Sequence, residues 1–198
     1  GTLFAERPSG LGKTVGAWFV NDGEQILSIN SHDFPSPNAT AVLTETENGK
    51  SRVLQTTDAL QKNSTATRLV TNRAHNLYAT VVNTPGENLE QRLHSSVLFI
   101  YKLDTGEAVT EFHLKGVVRQ VLFSPDGQKI AASCDDGRLF IWDVKTRRQA
   151  FTPLQLSGQI NSIAFSPDSR LLVTANAIDQ SKNVENFIQQ GGTVQVWD

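Results

Sequence analysis

The chain has 198 residues, 38% of them hydrophobic, and its 18 Lys and Arg against 20 Asp and Glu leave a formal net charge of −2. That is enough apolar material for one sizeable core, and the charge balance leaves no electrostatic footprint for nucleic acid or an anionic membrane. A single cysteine excludes an internal disulfide framework and fits a reducing, cytoplasmic setting, while no run of about 18 apolar residues offers a membrane span.

Taken from the start, residues 2–5 read as a short strand standing by itself, and residues 13–19 as a second strand running into the turn Asn21-Asp22-Gly23. Gly12-Lys13-Thr14 within this stretch fails as a phosphate loop. Arg7 stands where that pattern requires its first glycine, and a strand follows rather than a helix. Residues 31–39 then interrupt the strands with a longer crossing that holds Phe34. A second set of strands begins near Val70 and is interrupted at 83–95. There Pro85-Gly86-Glu87 leads into Leu89 and Leu93 at helical spacing, among Glu90, Arg92 and His94.

The third segment is the clearest. In Ser124-Pro125-Asp126-Gly127 proline presets φ, Ser and Asp hydrogen-bond nearby backbone, and glycine accepts positive φ, so the four residues predict a tight turn between strands. Leu139, Phe140, Ile141 and Trp142 run apolar without alternation, the sign of a strand buried on both faces. Asp136-Gly137 before them predicts a hairpin. The fourth segment repeats the third: Phe165-Ser166-Pro167-Asp168-Ser169 follows Phe123 at a distance of 42 residues, and Trp197-Asp198 answers Trp142-Asp143. A self-similarity of roughly 40–45 residues is the period of a four-stranded propeller blade.

These residues resemble the WD-repeat β-propellers, through Ser124-Pro125-Asp126-Gly127, Asp135-Asp136-Gly137 and Ile141-Trp142-Asp143 in one repeat. Ser166-Pro167-Asp168, Gly191-Gly192-Thr193 and Val196-Trp197-Asp198 carry the resemblance in the next. Phe19 and Val70 align with Phe123 and Phe165, so four repeats are expected at about 13–62, 63–115, 116–157 and 158–198, with a separate strand at 1–8. The resemblance implies an all-β fold, a β-propeller of four-stranded antiparallel blades with strands a to d in each. The family's hydrogen-bonded set around the strand c tryptophan is expected to be partial. Gly-His is absent before strand a, and Ala132 stands where a hydroxyl is usual, although Thr174 and Trp197 match.

Four blades lie at the low end of the range for propellers. The lone first strand and the absence of a strand d after Asp198 suggest that the ends join, within one ring or between two self-associating chains. A start at Gly1 and the absence of methionine are also what a piece of a larger ring would show.

Chemistry is sparse. His32, His75, His94 and His113 have no metal-ligand spacing, no cofactor motif recurs, and Asp135-Asp136 sits in a turn, where Asp serves the backbone. Cys134 reads as a packing residue on strand b. Asn38-Ala39-Thr40 and Asn63-Ser64-Thr65 fit the N-glycosylation pattern and read as ordinary loop residues.

The third repeat crosses from strand b to strand c by a minimal turn, whereas the others are lengthened there, at 31–39, 83–95 and 177–190. In the last of these Ser181 could cap a helical turn carrying Val184, Phe187 and Ile188. Insertions gathered on one face mark a binding surface in repeat folds. The expectation is therefore a non-catalytic scaffold for a protein or peptide partner, with Phe34, Leu89 and Phe187 as apolar anchors rimmed by Arg92, His94, Lys182 and Glu185. Two alternatives stand beside it. Tyr101-Lys102-Leu103-Asp104-Thr105-Gly106 is similar to the turns of quinoprotein propellers, which implies a propeller enzyme or cofactor-binding domain. The chain could also be a sensor module of a larger multidomain protein.

Overall fold

The computed structural model describes residues 13–20, 23–31, 39–57, 65–72, 75–84, 95–177 and 192–198. The chain divides into two compact units, Gly1–His113 and Leu114–Asp198, and the described residues form antiparallel sheets with no α-helix among them.

In the first unit β1 (Lys13–Val20), β2 (Gln25–Ser31), β3 (Ala39–Glu45) and β4 (Ser51–Thr57) pair in chain order, as do β5 (Thr65–Asn72), β6 (Leu77–Thr84), β7 (Ser95–Lys102) and β8 (Ala108–Lys115). These are up-and-down blades. The turn Thr46 to Gly49 joins β3 to β4 and is fixed by Gly49 N–H donating to the Glu45 carbonyl at 2.9 Å.

In the second unit β9 (Val118–Phe123), β10 (Lys129–Cys134) and β11 (Arg138–Asp143) pair in order. The expected strand d is split into β12 (Arg148–Gln149) and β13 (Leu154–Gln155), both against β11. Pro153 lies between them, and a residue without an N–H cannot continue a ladder. Among the described residues the last sheet has three strands, β14 (Ile160–Phe165), β15 (Leu172–Ala177) and β16 (Gly192–Trp197). The proposed lone strand at 1–8 lies outside the described residues.

The register corrects one equivalence. Phe19, Phe123 and Phe165 stand opposite Ile26, Ile130 and Leu172, but in the second blade it is Thr71 that stands opposite Tyr78, the position of Ile130. Val70 is therefore one place out of phase. The altered turn explains the slip: Asn72 Oδ1 accepts the His75 N–H at 3.2 Å, and Asn76 takes the left-handed conformation at φ 54°. In the third blade Gly127 holds it one place earlier, at φ 68°.

Each unit has its own core, made the same way. In the first, Leu27, Ala41 and Leu43 of one blade pack with Leu69, Tyr78 and Tyr101 of the next, and Tyr78 stacks on Tyr101 with ring centroids 5.0 Å apart. In the second, Ala131, Leu139 and Ile141 of the third blade pack with Ile160, Ile163 and Leu172 of the fourth. The continuous apolar run at β11 is buried at Leu139 through Trp142, as a strand clothed on both faces must be. Trp197 departs from expectation in being only partly buried; it lies on β16, whose one pairing among the described residues is with β15.

Candidate functional site

The short crossing from β10 to β11 shows what this end of a blade needs in order to close. Asp135 Oδ1 accepts the Val117 N–H at 3.1 Å, and Asp136 Oδ1 accepts the Arg138 N–H at 3.1 Å. The Asp136 carboxylate also takes the Arg138 guanidinium, with Nε to Oδ2 at 2.7 Å, while Arg138 Nη2 donates to the Lys115 carbonyl at 2.7 Å. Gln155 Nε2 donates to the Asp136 carbonyl at 2.9 Å. Both carboxylates are thus occupied by backbone and by Arg138. Gly137 turns at φ 82°, and a Cβ there would lie 2.6 Å from the Gly158 carbonyl oxygen. These are the contacts of a bolted turn.

Cys134 beneath it is fully buried, and burial, helped by the nearby Asp136, pushes its thiol up to about 12. A thiol so rarely ionised is a poor nucleophile or metal ligand. At the same place in the fourth blade stands Asn176. It is buried too, donating through Nδ2 to the Ser157 carbonyl at 2.8 Å and accepting from Thr193 Oγ1 at 2.9 Å. Asn176 thereby ties the approach to β14 to the start of β16, a role its sequence context did not announce.

The opposite end of these blades carries the Ser-Pro-Asp turns. Ser124 Oγ donates to Asp126 Oδ1 at 2.6 Å, and Asp126 Oδ1 accepts the Gln128 N–H at 3.0 Å; Ser166 and Asp168 repeat the arrangement at 2.5 Å, with the Arg170 N–H. Burial opposes ionisation of Asp126, but its hydrogen bonds to Ser124, Gln128 and Ser169 outweigh it and hold the carboxyl below the usual range. For Asp168 the Ser166 hydroxyl has the largest share in the same shift. Catalytic carboxylates that must take up protons near neutrality need the contrary shift.

The similarity of residues 101–106 to quinoprotein turns has a local explanation. Gly106 N–H donates to the Lys102 carbonyl at 2.9 Å, Leu103 N–H to Asn76, and Glu107 N–H to Thr105 Oγ1. Arg147 N–H closes on Asp143 in the equivalent place in the third blade. Leu103 is buried and Gly106 turns at φ 73°, so the motif is the hairpin from strand c to strand d.

Of the histidines, His75 and His113 are described and exposed, His113 lying 3.1 Å from Glu111. Among the described residues no three His, Cys, Asp or Glu side chains gather as metal ligands would. Phe34, Leu89, Arg92, His94, Lys182, Glu185 and Phe187 all lie outside the described residues, as do the two helical turns expected near them. What is described is the strand ends from which those crossings depart: Ser31 pairs with Ala39, Thr84 with Ser95 and Ala177 with Gly192.

The family model of the WD domain, G-beta repeat, matches residues 106–143 and 152–198. These two stretches are WD repeats. The observation that accords with this on the atomic scale is Trp197 Nε1 donating to Thr174 Oγ1 at 3.1 Å, the part of the family's tryptophan set that the sequence retains. The chain is also similar to a solved structure described as the crystal structure of the computationally designed Ika4 protein. The TM-score is 0.65 and the identity 14%, over 100% of this chain and 98% of that one. At that identity the likeness concerns fold alone, and the fold class is that of the β-propeller. No curated protein matches the chain. WD repeats in general serve as scaffolds for protein interaction.

Proposed function

We propose that the chain is a non-catalytic interaction scaffold that takes a protein or peptide partner on the blade ends carrying the long crossings from strand b to strand c. One comparison within the molecule supports this. The third blade closes through residues 135–137 with its carboxylates and glycine committed to the turn, while the others use 32–38, 85–94 and 178–191 between strands that pair to their last residues. The sheet does not require the extra length, and ordering it costs conformational entropy. Segments retained at such a cost are commonly the ones that bind.

On this reading the crossings would offer Phe34, Leu89 and Phe187 as apolar anchors, with Arg92, His94, Lys182 and Glu185 as the polar rim. The lone, buried thiol is consistent with a reducing, cytoplasmic setting. The test is the double substitution Phe187→Ala with Arg92→Ala, compared with the parent chain in affinity capture from a cell extract. Loss of specific capture at an unchanged melting temperature supports the reading. Loss of folded structure, or unchanged capture, counts against it.

A further inference from the structure

The hairpin from strand c to strand d recurs in the first, second and third blades and closes on the same backbone bond. Gly49 N–H donates to the Glu45 carbonyl and Gly106 N–H to the Lys102 carbonyl, both at 2.9 Å, and the two glycines turn at φ 69° and 73°. In the third blade Arg147 N–H donates to the Asp143 carbonyl at 3.0 Å, and here an arginine holds the left-handed backbone, at φ 59°. Glycine accepts that conformation freely, and arginine does not. Strain kept in one copy of a repeated turn points to a use for the side chain.

The charge of the turn is reversed in the same copy. The first two hairpins carry two acids against one lysine, Glu45 and Glu47 with Lys50, then Asp104 and Glu107 with Lys102, and Lys102 is paired with Glu107 at 2.6 Å. The third carries Lys145, Arg147 and Arg148 against Asp143. Asp143 is committed to the Thr146 N–H at 2.6 Å, and Asp126, in the turn at the same end of the blade, accepts from Ser124 and Gln128. Among the described residues no ion pair is made by Lys145, Arg147 or Arg148.

The strand that follows also departs from its counterparts. Gln149 pairs with Trp142 and Leu154 with Leu139, so Ala150 to Pro153 of strand d span the place of Phe140 and Ile141 on β11. The surplus lifts a knuckle off the sheet. Phe151 on it is 45% exposed, and every residue from Lys145 to Pro153 is exposed. Ala150 N–H still reaches the Ile141 carbonyl at 2.8 Å, and Gln149 before it therefore turns its own N–H and carbonyl outward, at the edge of the sheet. The unbroken strands β4 and β8 show that a blade here closes without any knuckle.

We propose that this hairpin and knuckle are a recognition site for an acidic, extended segment of a partner protein. Carboxylates of the segment meet Lys145, Arg147 and Arg148, an apolar side chain of it lies on Phe151, and its backbone reaches the outward groups of Gln149. Three cations on a chain of net charge −2 are too few for a nucleic acid or an anionic membrane, and an aromatic beside a free strand edge suits a peptide. The site lies at the end of β11 away from the crossing to strand b, and it does not depend on what the long crossings bind.

Panning a display library of random peptides on the purified chain tests it, with the triple variant Lys145→Ser, Arg147→Gly, Arg148→Ser as the counter-target. Arg147→Gly relieves the left-handed strain, so the variant should keep the circular dichroism of the parent. Peptides that join acidic residues to an apolar one should be enriched on the parent and not on the variant. One such peptide, synthesised with a fluorescent label, should bind the triple variant about tenfold more weakly, the loss expected of three exposed charge contacts. It should bind Phe151→Ala about fivefold more weakly, and that variant alone carries the comparison if the triple one does not fold. Enrichment without acidic residues, unchanged affinity in a folded variant, or tighter binding of oligothymidylate or phosphatidylserine vesicles than of the peptide overturns the proposal.

Discussion

The hydroxyl of Ser169 accepts the backbone N–H of Asp126 at 3.0 Å, binding the Ser-Pro-Asp turn of the fourth blade to that of the third. Ser169 stands where the third blade has Gly127 and holds the same left-handed backbone, at φ 63° against 68°. A serine is a poor conformational choice there, and the bond between blades is what it supplies in exchange. Ser169→Ala keeps the strained conformation and loses the bond, and should destabilise the chain by about 1 kcal/mol in urea titration. Ser169→Gly loses the bond but relieves a left-handed cost of roughly 1–2 kcal/mol, so it should lie near or above the parent. Equal loss in both variants would show that the bond alone matters.

Strand c of the third blade sets the scale of the core. Trp142 is 5% exposed and stacks on Phe140 with centroids 5.6 Å apart, so Trp142→Ala should cost about 3–5 kcal/mol through lost burial and the cavity left behind. Trp197→Phe should cost much less. Its ring is only partly buried, and the main loss is the bond to Thr174, about 1 kcal/mol.

Acid should unfold the chain partly through the turn carboxylates. The hydrogen bonds from Ser124, Gln128 and Ser169 hold Asp126 below its ordinary range against a burial effect of opposite sign, and Ser166 does the same for Asp168. The Thr146 N–H lowers Asp143. A carboxylate depressed in the folded state adds stability that is fully present above its unfolded value of about 3.9 and is lost as pH falls through the folded value. Urea midpoints should therefore be flat near neutrality and fall below about pH 4. Asp126→Asn with Asp168→Asn should flatten that acid limb, and an unaltered limb would assign acid unfolding to other groups.

The repeats were legible because their turns are chemically specific. Ser124-Pro125-Asp126-Gly127 and Trp142-Asp143 each name a backbone conformation, and the period between copies fixed the blade. Where the turn residues changed, at 72–76, the alignment slipped by one, since apolar spacing alone does not count loop residues. Pro153 is plain in the sequence, but where strand d breaks depends on which residues of β11 it must pair with, and β12 and β13 resume on either side of it. The bond between Asp126 and Ser169 joins residues 43 apart and has no local signature.

Two glycines separate conformational strain from crowding. Gly23 and Gly137 both turn with positive φ, at 92° and 82°. A Cβ at Gly23 would meet nothing within 4 Å, but at Gly137 it would meet the Gly158 and Leu156 carbonyl oxygens at 2.6 and 2.9 Å. Gly23→Ala should thus cost only the left-handed penalty, roughly 1–2 kcal/mol. Gly137→Ala must bear a similar penalty and also push back two backbone oxygens that no rotamer can move. It should cost clearly more, and it should loosen the bonds donated by the Val117 N–H to Asp135 and by Gln155 to the Asp136 carbonyl that bolt the short crossing. Denaturant titration of both variants gives the two costs, and faster amide exchange at Val117 in Gly137→Ala reports the loosened crossing. Equal costs with unchanged exchange would mean that the short turn is not held by its close packing, and the contrast with the long crossings would lose its physical basis.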